Sequence, residues 1–307
     1  MALETLLDIS ARLPIVALRC FIKMGNDGAL DDHAGSLFHG AFGWALREAA
    51  PRLWSSAYGP QAQGAIRPFA IVPPRPCQWR KGEELQFELT LFAEFAKVVA
   101  GVLAALQTMG SRGLGTQRTP FSLQQLVQLC PEGQQLIWSS YCQTVHASPQ
   151  TVTLDQAIIS AAPLWSALPA QRLVVQITCR SRLHIKEQGQ VLTQAPSAIT
   201  LARSISRRLL TLTETTGEHE KQRLYANLNG LNDVRLAWDH SQERELRRFS
   251  SRSRQQHHIE GLSGCWGYQG SGLVYLLPWL ALGKWLHLGS KTTFGFGAFD
   301  WQVGMTS

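Results

Sequence analysis

The predicted elements of the two halves of the chain follow the same order, and this duplication constrains the fold more than any other feature. In each half an apolar helix leads into a glycine-rich loop, at 110–115 and again at 289–297, and a strand follows the loop. Each half also opens with a strand and then a helix. The order strand–helix–strand–strand–helix–strand is typical of ferredoxin-like domains. The sequence therefore predicts an α+β protein of two tandem ferredoxin-like (RRM-like) domains with a C-terminal glycine-rich loop.

The first half of the chain contains clear strand and helix patterns. A short apolar run with β-branched residues predicts a buried strand over 13–24, and apolar residues at helical spacing predict a helix over 36–49. Alternation of apolar and polar residues predicts a strand over 84–92. A helix over 94–109 and a strand over 121–129 complete the first predicted domain.

The second half is predicted to begin with a long strand, and its later elements follow the same order as those of the first half. We expect these elements at 172–185 (strand), 197–215 (helix), 231–239 (strand), 273–286 (helix) and 299–303 (strand). Between them, arginines at helical spacing indicate a helical face within 243–254, and a glycine-rich turn is expected over 261–270. The predicted domains are 1–135 and 171–307, with 136–170 as a loosely patterned connecting segment.

Composition narrows the class of protein. Hydrophobic residues make up 45% of the 307 residues and charged residues only 17%, which excludes a disordered chain. The net charge of +7 indicates a polyanionic partner. Since the sequence has no run of about 18 apolar residues, we expect no membrane span. The first residues carry acidic side chains and no long apolar core, so we expect no signal peptide and a cytoplasmic protein.

The six cysteines do not predict a metal centre. None of them forms a C-x-x-C pair, and their spacings fit no zinc site. Cys142 with His146 and His258 with Cys265 stay open as isolated ligand pairs. Reduced thiols in a cytoplasmic protein are the simpler interpretation, and we expect neither a metal nor another cofactor.

The stretch 286–301, LHLGSKTTFGFGAFDW, is the most suggestive single motif. Its glycines, Gly289, Gly295 and Gly297, permit backbone conformations or close approaches that other residues resist. Together with Lys291, such a loop can offer N–H groups and a cation to a phosphate. A plain connection between helix and strand is the alternative. A nucleotide-binding P-loop is excluded, because Ser290 instead of glycine precedes the lysine and a helix instead of a strand precedes the loop.

Six stretches, in this order and spacing, resemble the RAMP superfamily of CRISPR-associated proteins. They are SLFHGAFGWALREA (36–49), PFAIVPP (68–74), GSRGLGTQRTPFSL (110–123), RRLLTL (207–212), SSRSRQQHHIEGLSGCWGY (250–268) and LHLGSKTTFGFGAFDW (286–301). Within that superfamily the chain is most similar to the endoribonucleases that process precursor CRISPR RNA (crRNA), the Cas-six family. The resemblance covers most of the chain.

The resemblance implies two ferredoxin-like domains and an activity. It implies metal-independent cleavage of the CRISPR repeat in a long transcript, to give mature crRNA that ends in a 2′,3′-cyclic phosphate and stays bound. The implied partners are the repeat RNA and other Cas effector subunits. Two alternatives remain: a non-catalytic RAMP subunit that binds crRNA within an effector complex, and a basic RNA-binding protein outside CRISPR systems.

Metal-free RNA cleavage requires an acid, a base and positive charge, and four residues are candidates for these roles. His39 is the first: the family commonly places a catalytic histidine near this helix, and Gly40 and Gly43 beside it indicate a close backbone approach. Many relatives carry arginine at the position of His39, so an RNA contact or a packed residue stays open. His257 and His258 follow an arginine cluster, and Lys23 ends the first predicted strand; a solvated surface is the alternative for each.

The RNA-binding candidates are the arginines of two clusters together with the residues of the two glycine-rich loops. They are Arg244, Arg247, Arg248, Arg252, Arg254, Arg203, Arg207, Arg112, Arg118, Gly289, Lys291, Gly295 and Gly297. Two further histidines, His184 and His287, are predicted to be structural.

Overall fold

The computed structural model describes residues 2–32, 34–62, 66–142, 144–166, 173–250 and 255–305. The chain forms two compact units. The N-terminal unit comprises Pro14–Val152 and Thr293–Gly295, and the C-terminal unit comprises Met1–Leu13, Thr153–Thr292 and Phe296–Ser307. The domain limits at 135 and 171 stay a prediction.

The elements of the first half alternate between short helices and mostly antiparallel strands. In chain order they are α1 (Ala2–Ser10), β1 (Pro14–Met24), β2 (Gly28–Leu30), α2 (Ala34–Ala49), α3 (Pro51–Tyr58), β3 (Phe69–Val72), β4 (Cys77–Trp79), β5 (Glu84–Phe92), α4 (Val99–Arg112), β6 (Phe121–Cys130), β7 (Gly133–Ser139), β8 (Thr144–Val145) and β9 (Val152–Thr153).

The second half contains longer strands. Its elements are α5 (Asp155–Ala161), α6 (Pro163–Ser166), β10 (Leu173–Cys179), β11 (Lys186–Glu187), β12 (Gln190–Val191), α7 (Ala198–Leu212), α8 (Glu218–Ala226), β13 (Arg235–Ser250), β14 (Gln255–Gln269), α9 (Leu273–Leu286) and β15 (Phe299–Met305).

The main sheet of the N-terminal unit has the strand order β3–β5–β1–β6, extended at one edge by β7 and β8. Each neighbouring pair is antiparallel. Alternate residues of the strands are buried, among them Leu18 and Leu89, and they share one core with Phe42 of α2 and Leu106 of α4. The two helices that follow β1 and β5 thus bury their apolar sides together with one face of the sheet.

The C-terminal unit repeats this topology. Its sheet has the order β13–β14–β10–β15, and the neighbouring strands are antiparallel. Helix α7 follows β10 and begins at Ser197, whose hydroxyl accepts a hydrogen bond from the backbone N–H of Thr200 at 3.1 Å. Helix α9 follows β14 and is buried on most sides. Both units therefore have the ferredoxin-like order, and the predicted fold class is confirmed.

The prediction for the arginine-rich segment was wrong. Residues 243–250 of the expected helical face and residues 261–269 of the expected turn lie instead in one long antiparallel hairpin, formed by β13 and β14. Their register pairs Arg235 with Gln269 and continues to Ser250 opposite Gln255. Cross-strand hydrogen bonding over this length outweighs the local helical spacing of the arginines, which is a weak signal without partners.

Two other predicted segments differ from the structure. The strand expected over 172–185 ends at Cys179, because the backbone N–H groups of Arg180 and Ser181 both turn to the carbonyl oxygen of Ala298, at 2.9 and 3.0 Å. The segment 136–170, expected to be loosely patterned, contains most of β7 and the short helices α5 and α6. Proline-rich, weakly periodic sequence concealed these elements.

Glycines of α2 have opposite surroundings. Gly35 is buried against the backbone of Thr293–Gly295, and a Cβ atom there would overlap the carbonyl group of Phe294. Gly40 is exposed, and a Cβ atom there would meet nothing within 4 Å. The close backbone approach predicted at Gly40 was therefore wrong, and the structure makes one instead at Gly35, which the sequence had not singled out.

These surroundings predict opposite effects of one substitution. We expect Gly35→Ala to lower the free energy of unfolding by about 1–3 kcal/mol, since the methyl group forces the two backbones apart. Gly40→Ala is the matched control on the same helix and should raise it by up to about 1 kcal/mol, because alanine favours the helix. Urea unfolding of both variants measures the difference; equal stability of the two would contradict the described packing of Phe294.

Candidate functional site

His39 lies in a cluster of aromatic rings within the N-terminal unit. Its side chain points from α2 into the rings of Phe294, Tyr58 and Phe69, with ring centroids 4.1, 5.3 and 6.2 Å from that of the imidazole. The Tyr58 hydroxyl donates a hydrogen bond to the His39 carbonyl oxygen at 3.3 Å. His39 is 8% exposed. These contacts hold the imidazole in one orientation and leave only a small part of the residue open to solvent.

The cluster depends on a second glycine of α2. A Cβ atom on Gly43 would lie 3.0 Å from Cζ of Tyr58, so the tyrosine ring can pack beside the helix because glycine has no side chain. Burial raises the pKa of the Tyr58 hydroxyl, and the charge of Arg67 opposes that rise. Tyr58 therefore stays a neutral hydrogen-bond donor near neutral pH. The sequence carried no signal for Tyr58 or Phe294 as neighbours of His39.

The glycine-rich loop uses its backbone mainly within the protein. Gly289, Lys291, Gly295 and Gly297 all have positive φ, between 62 and 92°. The N–H of Gly289 donates to Oγ of Ser204 at 3.0 Å, and the N–H of Gly297 donates to a carbonyl oxygen at 2.8 Å. Gly295 and Gly297 are buried, whereas Lys291 is half-buried. The loop is a tightly held scaffold, and its direct contacts to RNA stay a prediction.

Two buried groups anchor the base of this loop. Nε of Arg208 in α7 donates to the carbonyl oxygen of Leu286, the last residue of α9, where a cation is favoured by the helix dipole. The next residue, His287, is 4% exposed. Burial, and then the charges of Arg208 and Arg180, lower the pKa of His287 to about 3. His287 is therefore neutral at physiological pH and unsuited to donate a proton as an imidazolium.

His184 is also buried, and it helps to position the loop. Its Nδ1 lies 2.8 Å from the carbonyl oxygen of Glu260, and its own carbonyl oxygen accepts the N–H of Ser290 at 2.9 Å. Burial lowers the pKa of His184, although the hydrogen bond to Glu260 opposes the shift. Both histidines predicted to be structural are thus enclosed by the protein.

The other candidates of the first half lie on the surface. Lys23 is exposed near the end of β1, opposite Glu84 of β5. Arg112 ends α4 and forms an ion pair with Glu48 at 2.8 Å. Arg118 is exposed in the following loop with φ of 50°. The structure places Lys23 and Arg118 in open positions, while Arg112 is partly engaged with a carboxylate.

The candidates of the second half lie on α7 and on the β13–β14 hairpin. Arg203 and Arg207 are exposed one turn apart on α7, and Arg244 is exposed on β13. The hairpin register sets Arg247 opposite His258 and Arg248 opposite His257. The remaining two candidates, Arg252 and Arg254, lie outside the described residues. The fold thus brings the two histidines beside two arginines, a pairing that the helix prediction had missed.

Neither a metal centre nor a membrane segment is present in the parts of the chain that the structure describes. There, no three side chains of His, Cys, Asp or Glu come together as a metal site. No described helix is both long and apolar enough to cross a bilayer.

The low pKa of His287 predicts an acid-sensitive fold. Between pH 6.5 and 3 the unfolded chain binds a proton at this imidazole and the folded chain does not, so the free energy of unfolding falls as pH falls. The loss is about 1.4 kcal/mol per pH unit, or about 2 kcal/mol between pH 6.5 and 5. His287→Asn removes the titration, and asparagine tolerates the positive φ of 64° at this position.

Urea unfolding at pH 7 and pH 5 measures this effect. We expect the variant to lose about 2 kcal/mol less than the parent chain between the two pH values. Exposed His219 provides the control, because His219→Asn should leave the pH dependence as it is. An unchanged pH dependence in His287→Asn would show that His287 is not held in its neutral form by the fold.

Comparisons with known proteins agree with the duplicated fold. A family model described as the CRISPR-associated endoribonuclease Cas6 matches residues 177–299, and another, described as an N-terminal domain, matches residues 50–150. No curated protein sequence matches the chain.

Solved structures with the same fold cover nearly the whole chain at low sequence identity. A chain of a partial Cas6-RT-Cas1–Cas2 complex aligns with a TM-score of 0.64 at 13% identity over 96% of this chain, which spans about half of that longer chain (47%). A Cas6 product complex aligns with a TM-score of 0.57 at 15% identity over 93% of this chain and 98% of that one. Cas6 of Thermus thermophilus aligns with a TM-score of 0.56 at 13% identity, over 94% and 98%. Residues 177–299 therefore match the CRISPR-associated endoribonuclease Cas6 family, which confirms the family predicted from the sequence motifs.

Proposed function

We propose that the protein is an endoribonuclease that binds the CRISPR repeat hairpin in precursor RNA and cleaves it to mature crRNA. The match of residues 177–299 to an endoribonuclease family carries this proposal. The net charge of +7 suits a polyanionic substrate. A structure with the same fold is titled a Cas6 product complex, which suggests that the protein also stays bound to its product.

We propose that the cleavage is a transesterification without a metal. The 2′-oxygen attacks the adjacent phosphorus, a new P–O bond forms, and the bond from phosphorus to the 5′-oxygen breaks. One proton leaves the 2′-hydroxyl and one reaches the 5′-oxygen. The products are a 2′,3′-cyclic phosphate and a 5′-hydroxyl, so the balance requires neither water nor an oxidant. Side chains must then supply the base, the acid and the charge that stabilises the phosphorane.

His39 is the first candidate for proton transfer. Three aromatic rings fix its orientation, and a fixed imidazole can be aligned with a reacting oxygen before the substrate binds. His257 and His258 are the second candidates, because the hairpin register sets them opposite two arginines that can stabilise negative charge. Lys23 is a third source of charge, since it is exposed at the end of β1.

The hairpin and α7 are proposed to hold the RNA backbone. Arg244 is the member of the arginine cluster whose side chain the structure describes, and it is exposed. Arg203 and Arg207, both exposed, form a second patch. Arginine suits phosphate because its planar guanidinium can donate two parallel hydrogen bonds. Each of the two glycine-rich loops is proposed to shape an RNA-binding surface.

We also propose that other Cas proteins are partners of this chain. A structure with the same fold is titled as a Cas6-RT-Cas1–Cas2 complex, and the chain spans about half of the corresponding longer chain. Binding to crRNA without cleavage, as a subunit of an effector complex, is the alternative that the following experiment separates from catalysis.

Substitution of His39 tests the proposed chemistry. We expect His39→Phe to slow single-turnover cleavage of cognate repeat RNA in EDTA by about 10²–10⁴-fold, since a general acid or base is lost. Phenylalanine keeps a ring among Phe294, Tyr58 and Phe69, so the fold and the RNA affinity should change little.

The control is His219→Ala, which removes an exposed imidazole of α8 and should cleave at the parent rate. If His39→Phe also cleaves at the parent rate, proton transfer does not occur at His39. If the unaltered protein binds the repeat but leaves it uncut in EDTA, the non-catalytic subunit is the correct interpretation.

Salt dependence tests the proposed backbone contacts. We expect Arg244→Ala to weaken repeat RNA binding and to reduce the slope of log K against log salt by about 0.7–0.9, the amount for one lost phosphate contact. Fluorescence anisotropy between 50 and 200 mM salt, roughly the range over which such contacts lose affinity, gives both values.

Arg223→Ala is the matched control, because Arg223 is exposed on α8, away from the arginine cluster in sequence. It should leave the slope as it is. An equal change of slope in both variants would mean that net charge, and not a contact at Arg244, determines the affinity.

A further inference from the structure

Three aromatic rings and two guanidinium groups of α2, α3 and the segment before β3 stack in a row. Cζ of Arg47 lies between two indoles, 5.6 Å from the ring centroid of Trp44 and 5.3 Å from that of Trp54. Trp54 and Tyr58 follow with nearly parallel rings, 8° apart in orientation and 6.5 Å between centroids. Cζ of Arg67 covers Tyr58 at 5.0 Å. We call these five side chains the Trp–Arg stack.

Local sequence explains how the stack forms. Trp44 and Arg47 are three residues apart on α2, and Trp54 and Tyr58 are four residues apart on α3, so each pair shares a helix face. Pro51 begins α3 directly after α2 ends at Ala49, which brings the two faces together. The part of the stack on α2 and α3 is therefore a consequence of helical spacing and of a one-residue connection, Ala50.

The end of the stack formed by Trp44, which we call the outer end, is open to solvent. Trp44 is 71% exposed. Arg47 covers one face of its indole, which leaves the other face to solvent. Arg47 is exposed, and no carboxylate of the described residues lies within ion-pair distance of it. Arg52, at the start of α3, adds a second exposed cation.

This arrangement has the chemistry of a platform for a nucleobase. Every base has a π-face that can stack on an indole, and a guanidinium behind the indole strengthens the contact while it attracts the adjoining phosphate. The exposed charged side chains nearest to Trp44 in sequence are Arg47, Glu48 and Arg52. The Glu48 carboxylate is paired with Arg112, so the two remaining arginines leave this surface cationic. Charge therefore favours RNA as the occupant.

We propose that an unpaired nucleobase of single-stranded RNA stacks on the open face of Trp44, with its phosphate beside Arg47 and Arg52. The proposal rests on the proposed RNA-binding function and names a site for RNA on the N-terminal unit. The inner end of the stack reaches the cluster around His39, since the rings of Tyr58 and His39 have centroids 5.3 Å apart. A base held at Trp44 thus lies at the outer end of a stack whose inner end contacts the ring of the proposed catalytic residue.

The test compares two probes on one variant. One probe is a labelled oligouridylate of about twelve nucleotides, and the other is an abasic strand of the same length and charge. We expect Trp44→Ala to weaken binding of the oligouridylate roughly tenfold, within the range for one lost base stack, and to leave binding of the abasic strand unchanged. The salt slope should stay the same for both probes, because no phosphate contact is removed.

Two further variants make the outcome decisive. Trp44→Phe should retain most of the affinity, since a planar ring remains. Tyr141→Ala removes another strongly exposed aromatic side chain of the N-terminal unit, 84% exposed, and should bind both probes like the parent chain. Equal losses on both probes, or no loss on either, would overturn the platform; a change in sedimentation without any loss of RNA affinity would assign Trp44 to a protein interface.

The probes contain no repeat, and binding is measured without cleavage. A protein that fails to cut repeat RNA can still show the stacking effect, and a protein without the platform can still cut. Failure of this inference and failure of the proposed function are therefore distinguishable.

Discussion

The close approach of the Thr293–Gly295 backbone to Gly35 is the constraint on which the candidate site depends. A side chain at residue 35 would overlap the carbonyl group of Phe294, so glycine is required where the loop tip meets α2. The same approach places the centroid of the Phe294 ring 4.1 Å from that of the His39 ring. Phe294, more than 250 positions away in sequence, thus completes the surroundings of His39. The described role of the glycine-rich loop here is to pack against α2.

Burial sets two of the nine histidines apart. Burial and nearby arginines lower the pKa of His287, and burial lowers that of His184, so both are suited to remain neutral supports of the loop. The candidates that we propose for proton transfer are His39, His257 and His258. The Trp–Arg stack adds a separate contribution, because planar groups can bind a base without reading its sequence. Arginine contacts to phosphate and a stacked base together would hold a hairpin and the single strand beside it.

The sequence predicted the fold well where the hydrophobic periodicity and the order of the elements were clear. The alternation of 84–92 and the apolar run of 273–286 led directly to β5 and α9, and the repeated order of elements led to the ferredoxin-like topology. The arginine segment was predicted wrongly because its strand depends on pairing with β14, which local spacing does not reveal. The rings around His39 were not foreseen for the same reason: Tyr58, Phe69 and Phe294 are distant in sequence and meet only in the folded chain.

The mass of the upstream RNA fragment tests the central claim most directly. Cognate repeat RNA is incubated with the protein in EDTA, and the product is analysed by mass spectrometry. The account predicts an upstream fragment that ends in a 2′,3′-cyclic phosphate and a downstream fragment that begins with a 5′-hydroxyl. A product with a 3′-hydroxyl and a 5′-phosphate, or cleavage that appears only with added divalent metal, would contradict it.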